Sequence, residues 1–107
     1  MPLTQKTCKP CEGGVKPLSG DEIGPYLDEL GDDWHVIDDE RLVRTFSFGT
    51  FADAMEFVNQ VARLAEAEGH HPDMEIHYSR VMIELSTHAI DGLSENDFIL
   101  AAKINTL

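Results

Sequence analysis

The chain has 107 residues, of which 42% are apolar, and this is enough for one compact domain with one core. Twenty acidic residues against eight basic ones give a formal net charge of -12, which repels phosphate backbones and anionic lipid. The composition therefore argues against direct binding to nucleic acid or to a membrane. No apolar run approaches the ~20 residues that cross a bilayer, and the N-terminus lacks the apolar core of a secretion signal, so we expect a cytoplasmic protein.

The N-terminal segment is rich in Lys, Pro and Gly and contains one Cys-x-x-Cys motif, formed by Cys8 and Cys11. We predict that residues 1–17 form a flexible tail and that residues 18–107 form the single domain. A zinc ribbon needs a second Cys/His pair, and a thioredoxin-like redox motif lies between a strand and a helix. Neither context is present, so we expect two exposed reduced thiols, with metal capture or a reversible disulfide as the alternatives.

Three segments carry the pattern of a capping box before an apolar stripe, which predicts three helices. Their N-caps are Ser19, Thr50 and Ser94. In the first helix Pro25 removes a hydrogen bond and clashes with the preceding turn, so we expect a late start or a kink there. The second helix should end at Gly69, where a left-handed residue is favoured.

Four short segments rich in β-branched and aromatic residues predict two hairpins. The first joins residues 34–37 to residues 42–48, and the second joins residues 74–78 to residues 81–85 through a tight turn at Ser79 and Arg80. The element order is then α-β-β-α-β-β-α. This order favours an α+β fold, with a four-stranded antiparallel sheet and three helices packed on one face. Self-association through a sheet edge would protect its unpaired backbone groups.

Histidines are concentrated between residues 69 and 88, where four of the five lie, and His70 and His71 are adjacent at a helix end before Pro72. Because histidine titrates near neutrality, two neighbouring imidazoles can offer both a proton donor and a proton acceptor. The helix C-terminus favours the imidazolium, and Glu66 would add to this effect if it meets His70. Histidines are also common at helix ends for stability alone, so the pair by itself leaves both interpretations open.

A metal site is the other chemistry that these histidines suggest. His70, His71, His77 and His88 could in principle share an ion, but adjacent histidines rarely aim at one metal and no helical i, i+4 pair occurs. We therefore predict no metal ligands. By position alone, His88 is an ordinary loop histidine after a strand, and Asp97 is the third residue of a capping box.

The spacing of these residues resembles that of a known enzyme family. Seven positions carry the resemblance, in the order Glu66, His70, His71, Pro72, Tyr78, His88 and Asp97. Their spacing is similar to that of the pterin-4a-carbinolamine dehydratase family, the 4a-hydroxytetrahydrobiopterin dehydratases. The resemblance implies a four-stranded antiparallel sheet with three helices on one side, assembled into homodimers or homotetramers.

The same resemblance implies a hydro-lyase that converts 4a-hydroxytetrahydropterin to quinonoid dihydropterin and water, which supports tetrahydropterin recycling. His70 and His88 would be the acid-base pair, and His71 would assist binding and proton transfer. The substrate-binding residues that the family pattern implies are Glu66, Ser86, Thr87 and Asp97. No metal or bound cofactor is implied, because the nitrogen lone pair of the carbinolamine already assists the loss of hydroxide, and the protein adds proton donors and a shaped pocket.

Two other functions stay open. Members of this family also act as dimerisation partners of transcription factors, through surfaces distant from the histidines, so the chain could be a non-catalytic binding module. A pterin-binding accessory in molybdenum-cofactor metabolism would use the same pocket for different chemistry.

Overall fold

The computed structural model describes residues 2–10 and 15–107. The predicted order of elements is confirmed, and every strand begins and ends within one residue of its predicted bounds. The elements are α1 (Gly20–Leu30), β1 (His35–Ile37), β2 (Arg41–Ser47), α2 (Phe51–Glu68), β3 (Asp73–His77), β4 (Arg80–Leu85) and α3 (Glu95–Ile104). Two 3-10 turns, at Leu3–Gln5 and His88–Ile90, complete the described elements. The chain has the α+β architecture that the sequence predicts.

One antiparallel sheet contains all four strands in the order β1-β2-β4-β3, so the β2–β4 pair joins the two hairpins. Val81, Ile83 and Leu85 of β4 alternate with more exposed residues and are wholly buried against the helices. This period of two confirms the predicted inner face. The turn between β3 and β4 falls at Tyr78 and Ser79, one residue earlier than predicted, because Tyr78 takes a left-handed conformation with φ of 53°.

Side-chain caps mark the helix starts. Thr50 Oγ1 accepts the Asp53 N–H at 3.1 Å, and α2 ends at Gly69, whose φ of 67° confirms the predicted left-handed C-cap. Of the late start or kink expected at Pro25, the late start does not occur. Helix α1 begins at Gly20, directly after the reciprocal capping box of Ser19, and runs on through Pro25. The box fixes the first turn, so the proline removes one donor without delaying the helix.

The core lies between the helices and the inner face of the sheet. Trp34 is buried beside Phe46, which in turn packs against Phe57 of α2. The Trp34 indole Nε1 donates to Asn105 Oδ1 at 2.7 Å, and Asn105 Nδ2 donates to the Leu30 carbonyl at 3.2 Å. The end of α3 is thereby tied to the end of α1 and to the start of the sheet. Among the described residues, no helix combines the length and apolarity needed to cross a bilayer.

Residues 2–10, for which the sequence predicts a flexible tail, pack against the helices. The Leu3 side chain is 1% exposed, and its backbone N–H donates to Glu29 Oε2 of α1 at 2.8 Å. Lys6 Nζ lies 2.9 Å from Glu95 Oε2 at the start of α3. The sequence offered no sign of this packing, since a single leucine in a polar segment has no periodicity. The domain boundary at residue 18 stays a prediction.

Cys8 is half-buried in this segment, although an exposed thiol was expected. Its backbone N–H donates to Glu68 Oε1 at 2.9 Å, and its thiol donates to the Asn96 carbonyl at 3.6 Å. Burial raises the pKa of the Cys8 thiol to about 12, and the Glu68 carboxylate adds to the increase. The thiol is therefore held in its protonated form. Cys11 lies outside the described residues, so the predicted pair of thiols stays a prediction.

Candidate functional site

A cleft of about 430 Å³ opens where the C-terminus of α2 meets the end of β4. Five of the seven site residues predicted from the sequence line it, and they are His70, His71, Ser86, Thr87 and His88. The other lining residues are Lys9, Pro10, Gly69, Pro72, Asp73, Ala89 and Asn96. The two predicted site residues outside the lining, Glu66 and Asp97, each contact one of the histidines.

His70 and Asp97 form a buried pair beside the cleft. His70 Nε2 lies 2.6 Å from Asp97 Oδ1, and their side chains are 12% and 0% exposed. The second oxygen, Asp97 Oδ2, accepts the Ser94 backbone N–H at 2.9 Å and the Thr87 hydroxyl at 2.8 Å. Because both carboxylate oxygens are held, the His70 ring is fixed in orientation. A carboxylate in this position also stabilises positive charge on an imidazole.

His71 pairs with Glu66 on the surface. His71 Nε2 lies 2.7 Å from Glu66 Oε1, and the side chains are 61% and 78% exposed. The expected contact of Glu66 with His70 is therefore replaced by a contact with His71. Gly69 in its left-handed conformation turns the chain out of the helix, so the second histidine lies over Glu66. Exposure makes this pair weaker than the His70–Asp97 pair.

The loop after β4 supplies the opposite lining residues. Thr87 is buried, its N–H donates to the Gly92 carbonyl at 2.8 Å, and its hydroxyl contacts Ser94 Oγ at 2.7 Å as well as Asp97. These bonds fix the 3-10 turn in which His88 stands exposed at the cleft. The sequence could place His88 at a strand end, but only the turn shows that it faces the same cleft as His70.

The remaining histidines lie elsewhere. His77 ends the edge strand β3 and His35 begins β1, and neither lines the cleft. Within residues 2–10 and 15–107, no three His, Cys, Asp or Glu side chains are grouped so that they could hold a metal ion. His70 and His71 each pair with a separate carboxylate, and His88 lies in the 3-10 turn.

Three lining residues were not predicted as site residues from the sequence, and they are Lys9, Pro10 and Asn96. Asn96 Oδ1 accepts the Lys9 backbone N–H at 2.9 Å, and Asn96 Nδ2 donates to the Lys9 carbonyl at 2.6 Å. This double hydrogen bond holds Lys9 and Pro10 at the cleft. Asn96 is in the first turn of α3, where asparagine is ordinary, so no sequence signal could have revealed its contact with a residue 87 positions away.

Comparison with known proteins agrees with this arrangement. The family model described as pterin 4 alpha carbinolamine dehydratase matches residues 16–107. The chain belongs to this family. The match includes all seven site residues and nearly the whole domain, so the pterin-4a-carbinolamine dehydratase resemblance seen in the sequence is confirmed.

Individual relatives match along almost their full length. A chain from Alkaliphilus metalliredigens is 50% identical over 103 residues, which cover 96% of this chain and 93% of the relative. One from Nitrosomonas eutropha is 50% identical over 105 residues, covering 98% and 92%. Both are provisionally named pterin-4-alpha-carbinolamine dehydratases. A crystal structure from Brucella melitensis, described as a transcriptional coactivator/pterin dehydratase, superposes with a TM-score of 0.79 at 36% identity, covering 85% of this chain and 97% of that one.

Proposed function

We propose that this chain dehydrates 4a-hydroxytetrahydropterin to quinonoid dihydropterin and water, in support of tetrahydropterin recycling. The observation that carries the proposal is the cleft shared by His70 and His88, in which His70 is backed by the buried Asp97 carboxylate. Two imidazoles that face one cleft suit a reaction that needs a proton donor and a proton acceptor on one small molecule. Membership of the dehydratase family supports the choice of substrate.

The chemistry needs one proton delivered and one removed. One histidine of the His70–His88 pair protonates the C4a hydroxyl, and the C4a–O bond breaks to release water. The N5 lone pair forms the C4a=N5 bond, and the other histidine accepts the N5 proton. Only water leaves, so no oxidant or reductant is involved. Holding the carbinolamine between two positioned groups supplies the orientation that the reaction needs.

The residues around the pair have supporting roles in this proposal. Asp97, which the family pattern implies as a residue that orients the site, has a fully buried carboxylate and in this proposal positions His70. The Thr87 hydroxyl is committed to Asp97 and Ser94 and its N–H to Gly92, so Thr87 shapes the cleft by holding the turn that carries His88. Ser86 lines the cleft. Glu66 acts through His71, which assists binding from the rim.

The test is stopped-flow absorbance of synthetic 4a-hydroxytetrahydropterin decay. Wild type should accelerate the decay, and His88→Ala should lose about 10²- to 10⁴-fold of that rate, the usual contribution of a general acid or base. His77→Ala is the matched control, because His77 lies outside the cleft and should keep wild-type turnover. Wild-type turnover in His88→Ala would contradict the assignment, and no acceleration by wild type would contradict the function.

We also propose that the chain self-associates as a homodimer or homotetramer in the cytoplasm. Strands β1 and β3 form the two edges of the sheet, and edge strands offer unpaired backbone groups. Beside β3 the exposed rings of Phe51 and Tyr78 stack at 6.5 Å between centroids. Light scattering coupled to size-exclusion chromatography should give a mass of two or four chains; a monomer at micromolar concentration would contradict the proposal.

A second candidate is a protein-binding role, as in a transcription cofactor. The description of the Brucella melitensis structure as a transcriptional coactivator/pterin dehydratase favours it. Such a role would use surfaces away from the cleft. Complementation of a deletion strain by His88→Ala would support this role, whereas complementation by wild type alone would support catalysis as the required activity.

A further inference from the structure

The N-terminal segment forms one side of the histidine cleft. Lys9 and Pro10 line the cleft together with His70 and His88, and the Asn96 side chain holds the Lys9 backbone through two hydrogen bonds of 2.9 and 2.6 Å. The preceding residue is held as well, since the Cys8 N–H donates to Glu68 at 2.9 Å. A backbone held at two successive residues keeps the Lys9 side chain beside the cleft.

Lys9 lies between the histidine cleft and a neighbouring one. The second cleft also has a volume of about 430 Å³, and its lining consists of Gln5, Lys6, Thr7, Lys9 and Glu95. Since Lys9 belongs to both linings, a ligand bound at the histidines could extend past it. The second cleft is therefore a place for a substituent of the ligand rather than for its reacting ring.

The charge of Lys9 is not neutralised by a direct ion pair with any described residue. Glu95 lines the second cleft together with Lys9, but its Oε2 already accepts from Lys6 Nζ at 2.9 Å and from the Tyr26 hydroxyl at 2.8 Å. These two hydrogen bonds lower the pKa of Glu95, and the Lys9 charge contributes in the same direction. The Lys9 charge therefore lies close enough to act on Glu95, and no ion pair among the described residues uses the Lys9 ammonium.

We propose that Lys9 is a specificity-determining residue that binds an anionic substituent, a carboxylate or phosphate, projecting from the pterin ring into the second cleft. The inference rests on the proposed function, because it takes the ring to lie at the histidines. In a chain with a formal net charge of -12, an anionic ligand would otherwise be repelled. A cation fixed beside the cleft offsets this repulsion at the one place where the substituent passes.

The test compares how the same substitution changes the binding of a pterin with a neutral side chain and of a pterin with an anionic one. The Kd of a pterin with a neutral dihydroxypropyl side chain and the Kd of pterin-6-carboxylate are measured by quenching of pterin fluorescence. Wild type is compared with Lys9→Gln and with Lys16→Gln, a control that removes the same charge from an exposed lysine outside both clefts. Circular dichroism verifies that each variant is folded.

We expect Lys9→Gln to weaken binding of pterin-6-carboxylate about two- to fivefold more than it weakens binding of the neutral ligand, which is the range of an exposed ion pair. Added salt should remove the difference, and Lys16→Gln should match wild type. Equal ratios of the two Kd values in all three proteins would overturn the inference. Turnover of the neutral carbinolamine is measured in parallel, so that loss of the proposed function is seen separately from loss of anion preference.

Discussion

Asp97 and His70 are 27 positions apart and share a hydrogen bond of 2.6 Å beside the cleft. The same carboxylate also accepts the Ser94 backbone N–H at 2.9 Å, which caps α3. One side chain therefore starts a helix and positions a candidate catalytic histidine. The capping interpretation of Asp97 is confirmed, and the contact with His70 is compatible with it because each uses a different oxygen.

Replacing Asp97 with asparagine should separate these two roles. Asp97→Asn retains an acceptor for Ser94 but loses the charge that faces His70. A hydrogen bond to a charged group contributes about 1.5–3 kcal/mol, so we expect kcat to fall about tenfold to a hundredfold while KM changes little. Steady-state kinetics measures both. Glu66→Gln, which disrupts the exposed pair with His71, should reduce kcat about twofold or less. An equal loss in the two variants would contradict the role given to Asp97.

Removing the Asn96 side chain should release the N-terminal segment. Asn96→Ala removes both hydrogen bonds to the Lys9 backbone, and the free energy of unfolding should fall by about 1–3 kcal/mol. Hydrogen exchange at the Lys9 amide should become faster, as measured by mass spectrometry of N-terminal peptides. Asn59→Ala, on an exposed position of α2, is the control: it should leave the exchange at Lys9 unchanged and should not lower the free energy of unfolding, since alanine favours a helix more than asparagine does. Unchanged exchange in Asn96→Ala would show that the segment is held by other contacts.

Glu68 should make the docking of Cys8 dependent on pH. Burial alone would raise the pKa of Glu68, but hydrogen bonds from the Cys8 N–H and the Lys103 ammonium outweigh it, so the pKa lies below its usual 4.5. A lowered folded-state pKa stabilises the fold above the unfolded pKa, and this contribution is lost as the pH falls through the folded value. Wild type should therefore be more stable than Glu68→Gln at pH 7.

The measurement is urea unfolding of the two chains across a pH series. The difference in the free energy of unfolding should be constant near neutrality and should shrink as the pH falls below about 4.5. Other carboxylates titrate in both chains and cancel in the difference. A difference that grows on acidification would contradict the assigned direction of the shift.

Gly92 should tolerate no side chain. An added Cβ would lie 2.5 Å from Pro17 Cβ, while the next residue, Leu93, accepts the Leu18 N–H at 2.8 Å. Gly92→Ala must displace the segment around Pro17. We expect the free energy of unfolding to fall by about 1–3 kcal/mol, as for other overpacked sites. Gly49→Ala is the control, since nothing lies within 4 Å of its added Cβ. Equal melting temperatures for the two variants would contradict this packing argument.

Local patterns in the sequence were sufficient for the order and bounds of the elements. The period of two in Val81, Ile83 and Leu85 and the left-handed Gly69 both follow from interactions within a few residues, which any fold of this chain must satisfy. The late start, one of the two effects expected at Pro25, does not occur because a capping box at Ser19 fixes the first turn more strongly than one missing donor weakens it. The histidine cluster was visible as well, since its members are close along the chain.

The sequence by itself determined the α+β order, the family and the histidines, because these depend on residue types and short spacings. Only the tertiary structure decided which carboxylate meets which histidine: Asp97 reaches His70, and Glu66 reaches His71. It also decided that Asn96 holds Lys9 beside the cleft. Such contacts join residues up to 87 positions apart, and they depend on how packed helices orient their side chains, which no periodicity within one element encodes.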